Sequence, residues 1–161
     1  DAERRRVDFA FVDARLVQSR QQLMTAIVQA IVGAMRRDPK RPDAEVGLKT
    51  PSIHSDLLWT LHSNNNIAEA LRRFGVSRTT RTLILVRVAP PLDAGELVQH
   101  MTQLVDGTLQ TRGLSLPSPA LAWSELGTAY KIQDTPAFQH PDTSQVDALI
   151  CSMVASKYVG A

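Results

Sequence analysis

Three consecutive asparagines, Asn64, Asn65 and Asn66, stand between two apolar runs and dictate how the chain enters the second of them. An asparagine side chain accepts hydrogen bonds from the unpaired amides of a helix start, and asparagine tolerates the left-handed backbone of a turn. Those duties account for at least two of the three and leave the third to present its amide to a partner. Ile67, Ala70, Leu71 and Phe74 follow at i, i+3, i+4 and i+7, the stripe of a short amphipathic helix. Gly75 stands where a C′ residue in the left-handed region is wanted, and Arg72 and Arg73 lie off the stripe. Ahead of the turn, residues 53–61 are rich in β-branched and bulky apolar side chains and short for a core helix, which predicts a strand. Beyond the helix, residues 82–88 form a nearly continuous apolar run closed by Pro90 and Pro91, which predicts an interior strand at the centre of the sheet.

The rest of the chain is organised around this unit. Residues 7–12 read as a short strand, and Ser19 with Gln22 has the spacing of a capping box. Leu23, Ile27, Ile31 and Met35 then recur every four residues, with Met24, Val28 and Val32 beside them, so a well-buried helix is expected to about Arg37, before Pro39 and Pro42 in a polar loop. Asp93 and Glu96 open a further helix that carries Leu97, Met101, Leu104 and Val105 to a stop at Gly107. Ser118 and Pro119 fit N-cap and N1 of a helix through Tyr130, and a last helix after Pro136 carries Val146, Leu149, Ile150, Met153 and Val154. Strand, helix, strand, helix, strand and then mainly helices make a single α/β (α+β) domain, a small, mostly antiparallel or mixed sheet packed with several helices.

At 161 residues, 43% of them apolar, the chain can build one continuous core. Cys151 is the single cysteine, so no internal disulfide forms, and no run of about 18 apolar residues is present to cross a bilayer. Both observations point to a reducing, aqueous compartment and no membrane partner. The opening at Asp1 reads as a fragment or a processed product. Residues 1–90 carry 15 Lys and Arg against 9 Asp and Glu, and residues 91–161 carry 3 against 7, net charges of +6 and −4. Such asymmetry marks either a surface for nucleic acid or an acidic partner, or scattered solvated arginines. His54, His62, His100 and His140 never fall at the i, i+4 spacing that sets two imidazoles on one metal. Neither GxGxxG nor GxxxxGK[ST] is present to cradle a phosphate, and no GxSxG raises a serine above a sheet. No catalytic residue, metal ligand or cofactor is therefore expected. His54 and His62 are read as surface or hydrogen-bonded structural histidines.

The stretch from Leu48 to Val76, LKTPSIHSDLLWTLHSNNNIAEALRRFGV, closely resembles the family of the p53-related-protein-kinase-binding protein, the small kinase-partner subunit of the KEOPS (EKC) complex. A Lys-Thr pair, an NNNI turn opening a helix, EAL and FG closing it and a strand LILVRV carry the resemblance. FAFVDARLV, QQLMTAI, YKI and VDALICSM extend it from Phe9 to about Lys157. Family members usually carry a strand and helix ahead of this region. The resemblance thus implies one domain over residues 1–161 lacking them, with an uncovered apolar surface that favours oligomerisation.

The same resemblance implies a non-catalytic subunit that binds an atypical kinase-like ATPase and, through it, the other KEOPS subunits. It further implies binding of the CCA tail of tRNA for threonylcarbamoyladenosine modification, in nucleus and cytoplasm. Lys49, which matches the family's Lys-Thr lysine, with Arg72 and Arg73, is the candidate tRNA surface. Leu23, Ile27, Ile67, Leu71 and Phe74 are candidates for the kinase interface and equally for plain core. Two alternatives stand: a small enzyme with a dispersed active site, and an interaction module unrelated to tRNA.

Overall fold

The computed structural model describes residues 9–36, 47–110, 119–140 and 142–159. Among them are two strands and seven α-helices: β1 (Ala10–Asp13), α1 (Arg20–Met35), α2 (Ile53–Leu61), α3 (Ile67–Phe74), β2 (Leu83–Val86), α4 (Ala94–Leu104), α5 (Pro119–Tyr130), α6 (Pro136–Gln139) and α7 (Thr143–Ala155). A 3-10 turn, Ala14–Leu16, joins β1 to α1. The strands pair antiparallel, Ala10 opposite Val86 and Asp13 opposite Leu83, and the helices pack around them as a small α+β domain.

The residues predicted as a strand, Ile53–Leu61, form α2 instead. Ser52 caps it, accepting from the Ser55 amide at 3.1 Å, while the Ser55 hydroxyl accepts from the Ser52 amide at 3.2 Å. That reciprocal pair is a start signal made of serines alone, without the Glu or Gln that usually marks a capping box. His54, Asp56, Leu57, Leu58, Trp59, Thr60 and Leu61 are all buried, because α1, α3 and β1 enclose the helix. A helix covered on every side needs no polar face, so its sequence imitates a buried strand.

α1 starts where its cap predicts, with the Ser19 hydroxyl accepting from the Gln22 amide at 3.0 Å. The Gln22 side chain accepts from Gln18 N rather than completing the box, and donates inward to the Leu16 carbonyl and the Tyr130 hydroxyl. The inner face, Leu23, Ala26, Ala30 and Gly33, meets α2 and α7. Gly33 is required there, since a Cβ would come within 2.2 Å of the Tyr158 hydroxyl. Where a well-buried helix is expected, Met24, Val28, Val32 and Met35 are exposed, because α2 and α7 cover one side only.

β1 begins at Ala10; residues 7 and 8 lie outside the described residues. β2 is half-buried rather than interior, since it has β1 as its one partner among the described residues. Gly75 is also corrected: at φ −76° and ψ 164° it is extended, not left-handed. It forms a bridge with Val12, and an added Cβ would lie 2.3 Å from the Leu71 carbonyl oxygen, so close approach is what demands glycine. α4 has the predicted Asp93 cap but no buried residue, and α5 starts at Pro119, with Ser118, Pro39 and Pro42 outside the described residues. The single predicted last helix is two, α6 and α7, the second capped by Asp142. Val12, Leu57, Leu61, Phe74, Tyr130, Val146, Ile150 and Val154 form the centre of the core.

Candidate functional site

The asparagine turn is a hydrogen-bonded unit in which each residue has a separate task. Asn66 caps α3, its side chain accepting from the Glu69 amide at 3.0 Å. Asn64 accepts from the Asn66 amide at 2.8 Å and donates its own amide group to the Glu69 carboxylate at 3.3 Å. The carboxamide of Asn65 is exposed and has no partner among the described residues, so it is the one of the three left to face outward. Its backbone carbonyl accepts from the Trp59 indole at 3.4 Å. Arg73 donates to Glu69 at 2.9 Å and Arg72 comes within 3.9 Å of the same carboxylate. Hydrogen bonds from Arg73 and Asn64 hold the Glu69 carboxyl below its ordinary range.

From beneath, the turn is fastened by a buried amine. Lys157, just past α7, donates to the carbonyl of His62 at 2.7 Å and to that of Asn64, and its ammonium lies 4.4 Å from the centre of the Trp59 ring. Burial pulls the Lys157 pKa down to about 8. His62 is buried as well, and burial lowers its pKa, with Glu69 4.0 Å from Nε2. A second buried centre is Asp56. Its carboxylate accepts from the backbone amides of Lys49 and Thr50, at 3.0 and 2.7 Å, and from the Tyr158 hydroxyl at 2.7 Å. Burial pushes the Tyr158 phenol up, and the Arg36 guanidinium lies over its ring at 5.3 Å.

Arg72 and Arg73 therefore come together with the asparagine turn, at Glu69, which partly neutralises both. Lys49 belongs to the other centre: its backbone is held by Asp56 and its side chain is exposed. Of the candidates for the kinase interface, Leu23 and Phe74 are taken up by the core and Ile27 is half-buried, whereas Ile67 and Leu71 are exposed. Glu69, Asp56, Trp59, Lys157 and Tyr158 were not singled out by the sequence. Only Glu69 had a local signal, the Asn66-x-x-Glu69 capping spacing; Lys157 reaches carbonyls more than 90 residues away.

On the outward face of α1, Met24, Val28, Val32 and Met35 are exposed. A cleft of about 290 Å³ lies between β1 and α2, lined by Phe9, Phe11, Ser52, His54, Ser55 and Leu58, and among the described residues no Asp, Glu, Lys or Arg lines it. His54 there accepts from the Val88 amide at 3.0 Å. Among the described residues no three His, Cys, Asp or Glu side chains gather in a group that could hold a metal ion, and no helix is long and apolar enough to cross a membrane. Among the described residues the titratable groups that meet here, Glu69 with Arg73 and His62 and Asp56 with Tyr158, are engaged within the fold, and the exposed surface is apolar on α1 and basic at Lys49 and Arg72.

The model of the family described as kinase binding protein CGI-121 matches residues 2–158. A Gibberella zeae protein named EKC/KEOPS complex subunit CGI121 is 36% identical over 107 residues, 62% of this chain and 50% of that protein. A protein of the same name from Cryptococcus neoformans var. neoformans is 30% identical over 185 aligned positions, 99% of this chain and 80% of its own length. The one from Neurospora crassa is 25% identical over 92% of this chain and 78% of its own. The chain spans half or less of the relatives from Gibberella zeae, Aspergillus terreus and Coccidioides immitis, at 50, 48 and 42%. With a family model covering nearly its whole length, this chain belongs to the CGI-121 family of kinase binding proteins.

Proposed function

We propose that this chain is a non-catalytic subunit of a KEOPS/EKC complex that docks a kinase-like ATPase on the outward face of α1. The names of its relatives and its family support the complex. The observation that carries the docking surface is the stripe of Met24, Val28, Val32 and Met35, exposed on a helix whose other side is fully engaged. A stable pairing of about 1,600 Å² needs apolar side chains that the core does not use, and this face supplies them. Val28→Asp with Val32→Asp should abolish capture of the cognate kinase while leaving the melting curve unchanged. Undiminished capture by that folded double variant would place the kinase elsewhere.

The same reading gives the chain a part in holding the CCA tail of tRNA during threonylcarbamoyladenosine modification. Lys49, Arg72 and the outward Asn65 are its candidates, supported by exposure and by the basic bias of residues 1–90. Lys and Arg contacts to phosphates give a salt-sensitive grip. Binding of tRNA with and without its CCA end, at two salt concentrations, tests this. Loss on removing the tail supports it, and indifference to tRNA leaves kinase docking alone. That outcome has a physical basis too, since Glu69 already pairs with both arginines.

A further inference from the structure

His62 lies directly under the asparagine turn, 2% exposed, with its two ring nitrogens unequally satisfied. Nδ1 accepts a hydrogen bond from the Asn64 backbone amide at 3.1 Å, so the neutral ring carries its proton on Nε2. That Nε2 is buried with no hydrogen-bond partner among the described residues, and the Glu69 carboxylate stands 4.0 Å from it. The Phe74 ring closes the site edge-on, 6.1 Å between ring centres. Asn64 is tied at both ends of its backbone, the amide to His62 and the carbonyl to the Lys157 ammonium. Its side chain accepts from the Asn66 amide, and Asn66 caps α3, so the bond to His62 stands first in a chain that runs to the start of that helix.

A second proton on this ring goes to Nδ1, and an imidazolium has two donors and no acceptor. The Asn64 amide then faces another N–H across 3.1 Å and is left unsatisfied. The Asn64 carbonyl, 3.4 Å from the same nitrogen, already holds the Lys157 ammonium, which repels a second cation. We propose that His62 is a proton-operated latch on the asparagine turn: the neutral ring holds the Asn64 amide and keeps the turn closed, and protonation of Nδ1 releases it. Charged groups from α3 and from the end of α7 bear on that proton. Burial holds His62 below its ordinary 6.5, and Lys157 past α7 and Arg73 on α3 push the same way, against the Asn64 backbone and Glu69 on α3. Lys157, near 8, and Glu69, held below its ordinary 4.5, keep their charges between those values, so His62 is the one of the three that changes there. The released ring takes up a proton that the closed one refuses, so the closed turn is fully favoured above 6.5 and loses ground as pH falls below it. The turn carries Asn65 and, through the Asn66 cap, α3 with Arg72, so the latch puts this outward surface under acid control whether or not RNA uses it.

An NMR titration of the whole chain, from about pH 8 downward, follows the His62 ring and the turn amides together. The His62 midpoint should lie below 6.5, and the Asn64 and Asn66 amides should lose protection from exchange through the same midpoint, by roughly tenfold for each pH unit separating it from 6.5. His62→Asn sets a carboxamide oxygen near the place of Nδ1, an acceptor that does not titrate, so its turn should stay protected over the whole range. Glu69→Gln serves should that variant fail to fold: it removes the charge that favours the imidazolium and should move the ring and amide midpoints down together. A ring that stays neutral until the chain unfolds, a ring that titrates while the two amides keep their protection, or the same loss of protection in His62→Asn would overturn the latch. Ring and amide midpoints that part in Glu69→Gln would do so as well.

Discussion

The junction of α2, the asparagine turn and the end of α7 differs from α4 in what holds it. In the junction Asp56, Thr60, His62, Trp59, Lys157 and Tyr158 are buried, and Asp56 and Lys157 each bind several groups, some of them more than 90 residues away. α4 has no buried residue, with Leu97, His100, Met101 and Leu104 half-buried, and is capped by Asp93, which accepts from the amides of Gly95 and Glu96 at 2.8 and 3.2 Å. Both regions are regular in secondary structure. The difference teaches that a good local signal is enough to make a helix, whereas fixing it in place takes buried groups that would be left unsatisfied if it moved.

Asp56→Ala should break the contrast most sharply. It leaves the amides of Lys49 and Thr50 and the Tyr158 hydroxyl without their shared acceptor, at a cost of about 3 kcal/mol or more in a denaturant melt. Lys157→Met keeps the apolar stem and the cover over Trp59 but abandons two carbonyls, for about 2 kcal/mol.

The lysine also has a pH signature. Its folded pKa, about 8, lies below the ordinary 10.5, so between those values the unfolded chain binds more protons and stability rises with pH. Tyr158, shifted the other way from 10.0, lowers stability only above that value. From pH 8 to 10 the wild type should therefore gain on Lys157→Met in paired melts; a constant gap would mean that the amine is not desolvated. Asn66→Ala should cost about 1 kcal/mol, the worth of one N-cap. Val98→Asp, on the exposed side of α4, should stay within about 0.5 kcal/mol in the same melts. A large loss there would show that α4 is anchored after all.

The same contrast explains what could be read from the sequence. Ser19, Asn66 and Asp93 are legible because a cap and its amide stand three residues apart, and the α3 stripe because one of its faces meets solvent. Ile53–Leu61 is misread because burial on all sides erases the period on which a helix is recognised. Met24, Val28, Val32 and Met35 mislead in the opposite sense: apolar spacing says helix, but not which side the neighbours cover. Asn65 is legible as one outward member of three, since the other two have turn and cap duties. Asp56 and Lys157 are not, because Tyr158 comes to Asp56, and the His62 and Asn64 carbonyls to Lys157, only by the packing of α2 and α7 against α1.

Hydroxyl-radical footprinting of the methionines tests the docking account most directly, at a concentration where the chain alone is monomeric. A thioether oxidises according to its exposure, so Met35 and Met24 should label readily in the free chain and be protected when the cognate kinase is added. Equal labelling of both methionines with and without bound kinase would contradict a docking face on α1.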